Sequence, residues 1–142
     1  MKRIRLLVLL GVIAVALPLG VAFAGNAGAA GGTGTTTSVS ISQYADFNFG
    51  GTQLDVNLLV SCTSVSGLGV ANVSVDQYQP ETGGTATGDG SNAKVVCDGK
   101  THSVGVTIVG TLYDPGKAFA TAEVVASGGT ATTSKWITIK VV

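Results

Sequence analysis

Beyond residue 37 the chain reads as short runs of alternating apolar and polar residues, separated by glycine-rich breaks. Alternation with a period of two is the signature of a half-buried β-strand, and no stretch of this region holds the 3.6-residue apolar period of a helix. The pattern predicts seven strands, over 38–43, 53–63, 69–78, 93–97, 102–109, 117–127 and 135–142. In the second, Leu54, Val56, Leu58, Val60 and Cys62 share one face. In the seventh, Ile137, Ile139 and Val141 do so. Val39 and Ile41 point inward in the first, and Val73 and Val75 in the third. Seven short strands with such breaks are the expectation for an all-β, immunoglobulin-like sandwich of antiparallel strands.

Asp98-Gly99 sits between two of these runs, and Asp-Gly is a strong two-residue hairpin signal. A turn there sets Val95 opposite His102 and Ala93 opposite Val104. That places Ala93, Val95 and Cys97 on the core face with Val104, Val106 and Ile108. Cys62 is core-facing by its own alternation, so the only two cysteines, Cys62 and Cys97, are expected to form a buried bridge between two sheets. Closing a loop of that length contributes about 3.8 kcal/mol in the chain-entropy model.

The first 37 residues follow other rules. Lys2, Arg3 and Arg5 precede an apolar run from Leu6 to Val21, and Ala22-Phe23-Ala24 is a small-x-small cleavage site. Residues 1–24 read as an export signal. A retained anchor is the alternative, because the apolar run is close to the shortest length that spans a bilayer. Residues 25–37, nearly all Gly, Ala and Thr, read as a flexible leader, leaving 38–142 as one domain. Export places the chain in an oxidising, extracellular setting where a disulfide persists. No membrane span is expected after processing.

Removing the signal removes every arginine. Five lysines then face eight carboxylates, a formal charge of −3. A nucleic-acid partner is not expected, since phosphate binding needs clustered Lys and Arg. The partner class left is an extracellular ligand or an envelope component.

Catalytic and metal chemistry find little support. His102 is the only histidine, and a Ser-His-Asp reading needs a positioned nucleophile for which the chain has no motif. One histidine and a bridged cysteine pair do not make a zinc site. Asp89-Gly90-Ser91-Asn92 offers oxygen ligands without the spacing of a calcium loop and reads as a solvated turn. No enzyme, metal or cofactor is expected.

The richest stretch is Tyr44 to Gly50, where Tyr44, Phe47 and Phe49 are interleaved with Asp46 and Asn48. Rings beside amide and carboxylate groups suit a sugar or a peptide. The competing role is to plug the open end of a small sandwich. Trp136 and Tyr78 fall on the faces opposite their inward neighbours, and Trp136 joins Tyr44, Asp46, Phe47, Asn48 and Phe49 as a candidate ligand-binding residue. The expected function is therefore a secreted, non-catalytic binding module. The alternative is a structural or envelope-associated surface protein. An open aromatic groove at 44–49 would separate the two.

The run from Cys62 through Val73-Ser74-Val75-Asp76-Gln77 and Cys97-Asp98-Gly99-Lys100-Thr101-His102 to Asp114-Pro115-Gly116-Lys117-Ala118 resembles small, exported, immunoglobulin-like proteins of actinobacteria, most without an assigned function. The resemblance covers about residues 54–142. It implies fold and export and carries no catalytic residue.

Overall fold

Alternating Val, Ile, Leu, Thr and Ser leave the chain little choice but extended structure, and strands dominate. A computed structural model describes residues 36–142, apart from the side chain of Phe49. The expected export signal and all but the last two residues of the leader lie outside the described residues. The strands are β1 (Ser38–Asn48), β2 (Gln53–Gln79), β3 (Gly84–Gly110), β4 (Gly116–Ala126) and β5 (Gly129–Val141), with one 3-10 turn at Phe49–Gly51. The all-β class is as the alternation requires.

Seven expected strands become five because two pairs run on into each other. Strands 53–63 and 69–78 are both parts of β2. Strands 93–97 and 102–109 are both parts of β3. The hairpin expected at Asp98-Gly99 is absent. Val95 pairs with Gly69, and His102 with Val60, so both runs pair with β2 and not with each other. The true hairpin turn is at 80–83, where Gly83 N donates to Gln79 O at 2.9 Å. Asp98-Gly99 is a corner within β3. Asp98 Oδ1 accepts from Lys100 N at 2.9 Å and meets His102 Nε2 at 2.7 Å, while Gly99 takes φ +83°. Asp-Gly supplied the expected left-handed residue, and a neighbouring strand turned it from a hairpin into a bulge.

Residues 84–92 form strand as well, so Asp89–Asn92 is not a turn. The alternation was hidden because the inward positions are Ala86, Gly88, Gly90 and Asn92. They are small because β3 doubles back. Twenty-four extended residues span roughly 80 Å, yet Thr111 N donates to Thr87 O at 3.1 Å and Asn92 Nδ2 to Gly105 O at 2.9 Å. Along this seam backbone meets backbone: a Cβ on Gly88 would lie 2.8 Å from the Gly110 Cα.

The opposite side is closed by β1. It pairs antiparallel with the first part of β2 and, over Tyr44–Phe47, parallel with Thr138–Val141 of β5. β5 pairs with β4, and β4 with 70–76 of β2. The pairings therefore run β1–β5–β4–β2 and back to β1, a closed ring with β3 laid against β2.

Inside lies one apolar cluster of mostly Val, Ala, Leu and Ile, which includes Leu54, Leu58, Val106, Ile108, Ile137 and Ile139. β4 contributes Ala118, Ala120, Ala122 and Val124, so small side chains line one wall. Ala93 is exposed, although Val95 and Cys97 are buried as expected. Val141 is also exposed, since it lies at the end of β5 beyond the packed interior.

Cys62 and Cys97 are bonded and buried, with Cα atoms 4.6 Å apart. The bridge ties neighbouring strands of the long hairpin where their register breaks, between Thr63–Asp98 and Leu68–Val96. Cys62 ends the first part of β2, and Cys97 lies just before the β3 corner at Asp98-Gly99. Gly69 makes room for it, because a Cβ there would stand 2.9 Å from the Cys97 Sγ and 3.0 Å from the Val125 carbonyl oxygen.

Candidate binding face

The stretch expected to form a ligand groove is a paired strand. Tyr44–Asn48 belongs to β1, with β2 on one side and β5 on the other. Pairing on both edges fixes alternate side chains in and out, and it disperses the residues that sequence had grouped. Phe47 turns inward and packs on the core. Asn48 donates through Nδ2 to the Asp55 carboxylate at 2.5 Å, and Thr107 Oγ1 donates to the same carboxylate at 2.7 Å. Asp46 is half-buried and stands in register with Lys140. The Phe49 side chain lies outside the described residues. Of the candidates, Tyr44 and Asp46 share a face with Trp136. All three sit on the outer face of the β1–β5 pair, where Tyr44 is opposite Thr138, two residues from Trp136.

That outer face continues across β4 and the second part of β2. Trp136 pairs with Phe119, and Phe119 with Asp76. The two rings meet edge-to-face at 5.3 Å, a favourable aromatic geometry. Tyr78 follows two residues after Asp76 on the same face. Exposure is 43% for Tyr44, 67% for Tyr78, 37% for Phe119 and 65% for Trp136. Four of the described rings thus lie on one surface that no core claims. Lys140 Nζ stands 3.1 Å from the Tyr44 ring centroid, a cation–π contact that fixes one end of the band.

Beside the rings the face is polar. The next row along the strands is Ser74, Thr121 and Ser134, with the Thr121 and Ser134 hydroxyls 3.0 Å apart. The row after is Asn72, Glu123 and Thr132. Ser74, Thr121, Asn72, Glu123 and Thr132, with Asp89 and Ser91, line a shallow groove of about 610 Å³. The opposite surface of the molecule, over β1 and the first part of β2, carries Ser40, Asn57, Leu59 and Ser103, with no ring among them.

The far end of the face is held rigid by two buried groups. Tyr113 Oη donates to Val75 O at 3.1 Å. Burial pushes its phenol up to about 12, and the charges of Asp76 and Asp89 add to the shift. Gln77, buried one residue before Tyr78, donates to Asp114 O at 2.7 Å and accepts from Asp114 N at 2.8 Å. The 113–117 turn is thereby clamped under the aromatic band.

His102 pairs with Asp98, whose carboxyl is held below its ordinary range first by that hydrogen bond and then by the Lys100 amide. The pair sits at the β3 corner and secures it. Among the described residues no cluster of three or more His, Cys, Asp and Glu side chains could hold a metal ion, and no helix is long and apolar enough to cross a membrane.

Phe119 and Tyr113 were missed by sequence reasoning. Phe119 had a signal, being the aromatic residue that alternates with the inward Ala118, Ala120 and Ala122. Tyr113, just before Asp114-Pro115-Gly116, looked like part of a loop.

No family model and no curated protein matches the chain. Among solved structures it is similar to AggA, the major subunit of aggregative adherence fimbriae type I from Escherichia coli, with 10% identity over 76% of this chain and 95% of that one, at a TM-score of 0.32.

Proposed function

We propose that this chain is an exported, non-catalytic, envelope-associated surface domain that works by contact through the outer face of β1, β5, β4 and the second part of β2. One observation carries the reading: Tyr44, Tyr78, Phe119 and Trp136 gather on a single exposed face. Rings cost solvation when left in water, and monomers seldom keep an extended apolar patch without a use for it. The groove expected at 44–49 for a soluble ligand-binding module is a paired strand, which favours the surface-associated reading over it. In architecture we read the chain as an immunoglobulin-like sandwich. One layer holds the first part of β2 and the second part of β3, with β1 joining it to the other layer by pairing with both β2 and β5. The other holds β5, β4, the second part of β2 and the first part of β3.

Sedimentation of the purified chain with envelope fragments of the source cells tests the reading. The chain should pellet with the fragments, and a Trp136→Ala, Tyr78→Ala double variant with an unchanged melting temperature should stay in the supernatant. A chain that remains soluble with every fragment, or a double variant that pellets as well as the parent, would refute it.

A further inference from the structure

The face described above has a chemistry that selects among partners. A pyranose ring offers one apolar surface of C–H bonds and a rim of hydroxyls. A site for it needs a flat ring to stack on and a dense set of hydrogen-bonding groups in nearly the same plane. Here the row Asp76–Phe119–Trp136 is followed by the row Ser74–Thr121–Ser134. Alternate residues of a strand are about 6.6 Å apart, so the hydroxyl row begins within one sugar-sized step of the rings.

Other partners fit less well. The face bears Asp76, Asp89 and Glu123 against Lys117 and Lys140, and the described chain has no arginine. A polyanion meets no excess of positive charge there. A peptide adding as a strand bonds to backbone groups along a sheet edge and would leave the outward rings and hydroxyl row of this face uncovered, while β1 and β5 close on each other only over Tyr44–Phe47 and Thr138–Val141. A second copy packed face to face would bring like carboxylates together with the rings, which costs rather than stabilises.

We infer that this face binds a neutral polysaccharide, whose sugar rings stack on Tyr78, Phe119 and Trp136 while its hydroxyls bond to the Ser74–Thr121–Ser134 row. The inference rests on the reading of this face as the working surface and adds the chemical class of its partner.

Two measurements on the purified chain test it together. The first is affinity electrophoresis in gels cast with β-1,3-glucan, xylan, mannan or polygalacturonate. The second is sedimentation with envelope fragments before and after protease stripping. At least one neutral polymer should retard the chain, and polygalacturonate should not. Trp136→Ala and Tyr78→Ala should each weaken retardation about tenfold or more at an unchanged melting temperature. Protease-stripped fragments should still pellet the chain. If the chain pellets with intact fragments but not with stripped ones, and no neutral polymer retards it, the partner is a protein and this inference falls while the surface reading stands. Equal retardation by polygalacturonate, or a concentration-dependent dimer that Trp136→Ala abolishes, would also overturn it. If no fragment pellets the chain, both readings fail.

Discussion

Tyr113 lies buried beneath the end of the aromatic face. Its hydroxyl is bonded to Val75 O, and its phenol is pushed up to about 12 by burial. A tyrosine ordinarily ionises near 10. The folded state therefore prefers the neutral phenol; the resulting stability is fully present below about pH 10 and is lost as pH rises toward 12. Tyr113→Phe should cost about 1 kcal/mol at neutral pH through the lost hydrogen bond, and it should flatten the alkaline limb of a urea-denaturation series run from pH 7 to 12. Asp98 behaves in the opposite sense. Its folded carboxyl is held low by His102 and Lys100, so its contribution is present above the ordinary carboxylate pKa of about 3.9 and disappears as pH falls through the folded value. Asp98→Asn should remove that acid-side loss, and a melting series from pH 2 to 6 would show it. At this scale the sequence was legible where a residue stands alone against its neighbours, as Trp136 does beside Ile137. It was not legible at Phe47, which is placed by β5 far along the chain, or at Asn48, whose bond to Asp55 depends on the β1–β2 pairing that no local pattern reveals.

β2 and β3 show what alternation can and cannot disclose about an element. The apolar faces of 53–62 and 102–108 were readable because large aliphatic residues fill them. The strand at 84–92 was not, because the close approach of the two parts of β3 requires Gly88 and Gly90 inward and so erases the signal. Pairing of both parts of β3 with β2 turned an Asp-Gly hairpin into a corner. Val95 and Cys97 face the core as expected, but through pairing with β2 and not with each other's neighbours across a turn. The disulfide staples the place where this hairpin is weakest in register. Cys62 and Cys97 are 35 residues apart, and the Cys62→Ala, Cys97→Ala double variant should lose about 3.8 kcal/mol in the chain-entropy model. Denaturant melts of the two proteins measure that loss. Hydrogen exchange should localise the added opening to 61–71 and 91–99, where the register is broken, before it reaches 102–108. Gly69→Val should be more damaging locally, because its side chain would collide with the Cys97 sulfur and the Val125 carbonyl oxygen. Its mark would be a lower yield of bonded protein, read as free thiol in the purified chain.

For the whole molecule, closure is the property that matters most. The β1–β5 pairing over Tyr44–Phe47 and Thr138–Val141 closes the ring at one end, the β3 seam brings its two parts together on the other side, and closed sheets resist edge-to-edge association. A chain built this way has its faces left to work with, and the two differ: one carries Tyr44, Tyr78, Phe119 and Trp136, while the other carries Leu59 among serines and an asparagine, with no ring. The central claim is that the first face is open in the free protein and is the surface that meets the partner. Trp136 is the only tryptophan in the chain, so its fluorescence reports from that face alone. The most direct test is acrylamide quenching of Trp136, first in the free chain and then with saturating envelope fragments. The account predicts strong quenching in the free chain and protection when fragments are added. A tryptophan already shielded in the free chain, or equally quenched with fragments bound, would contradict it.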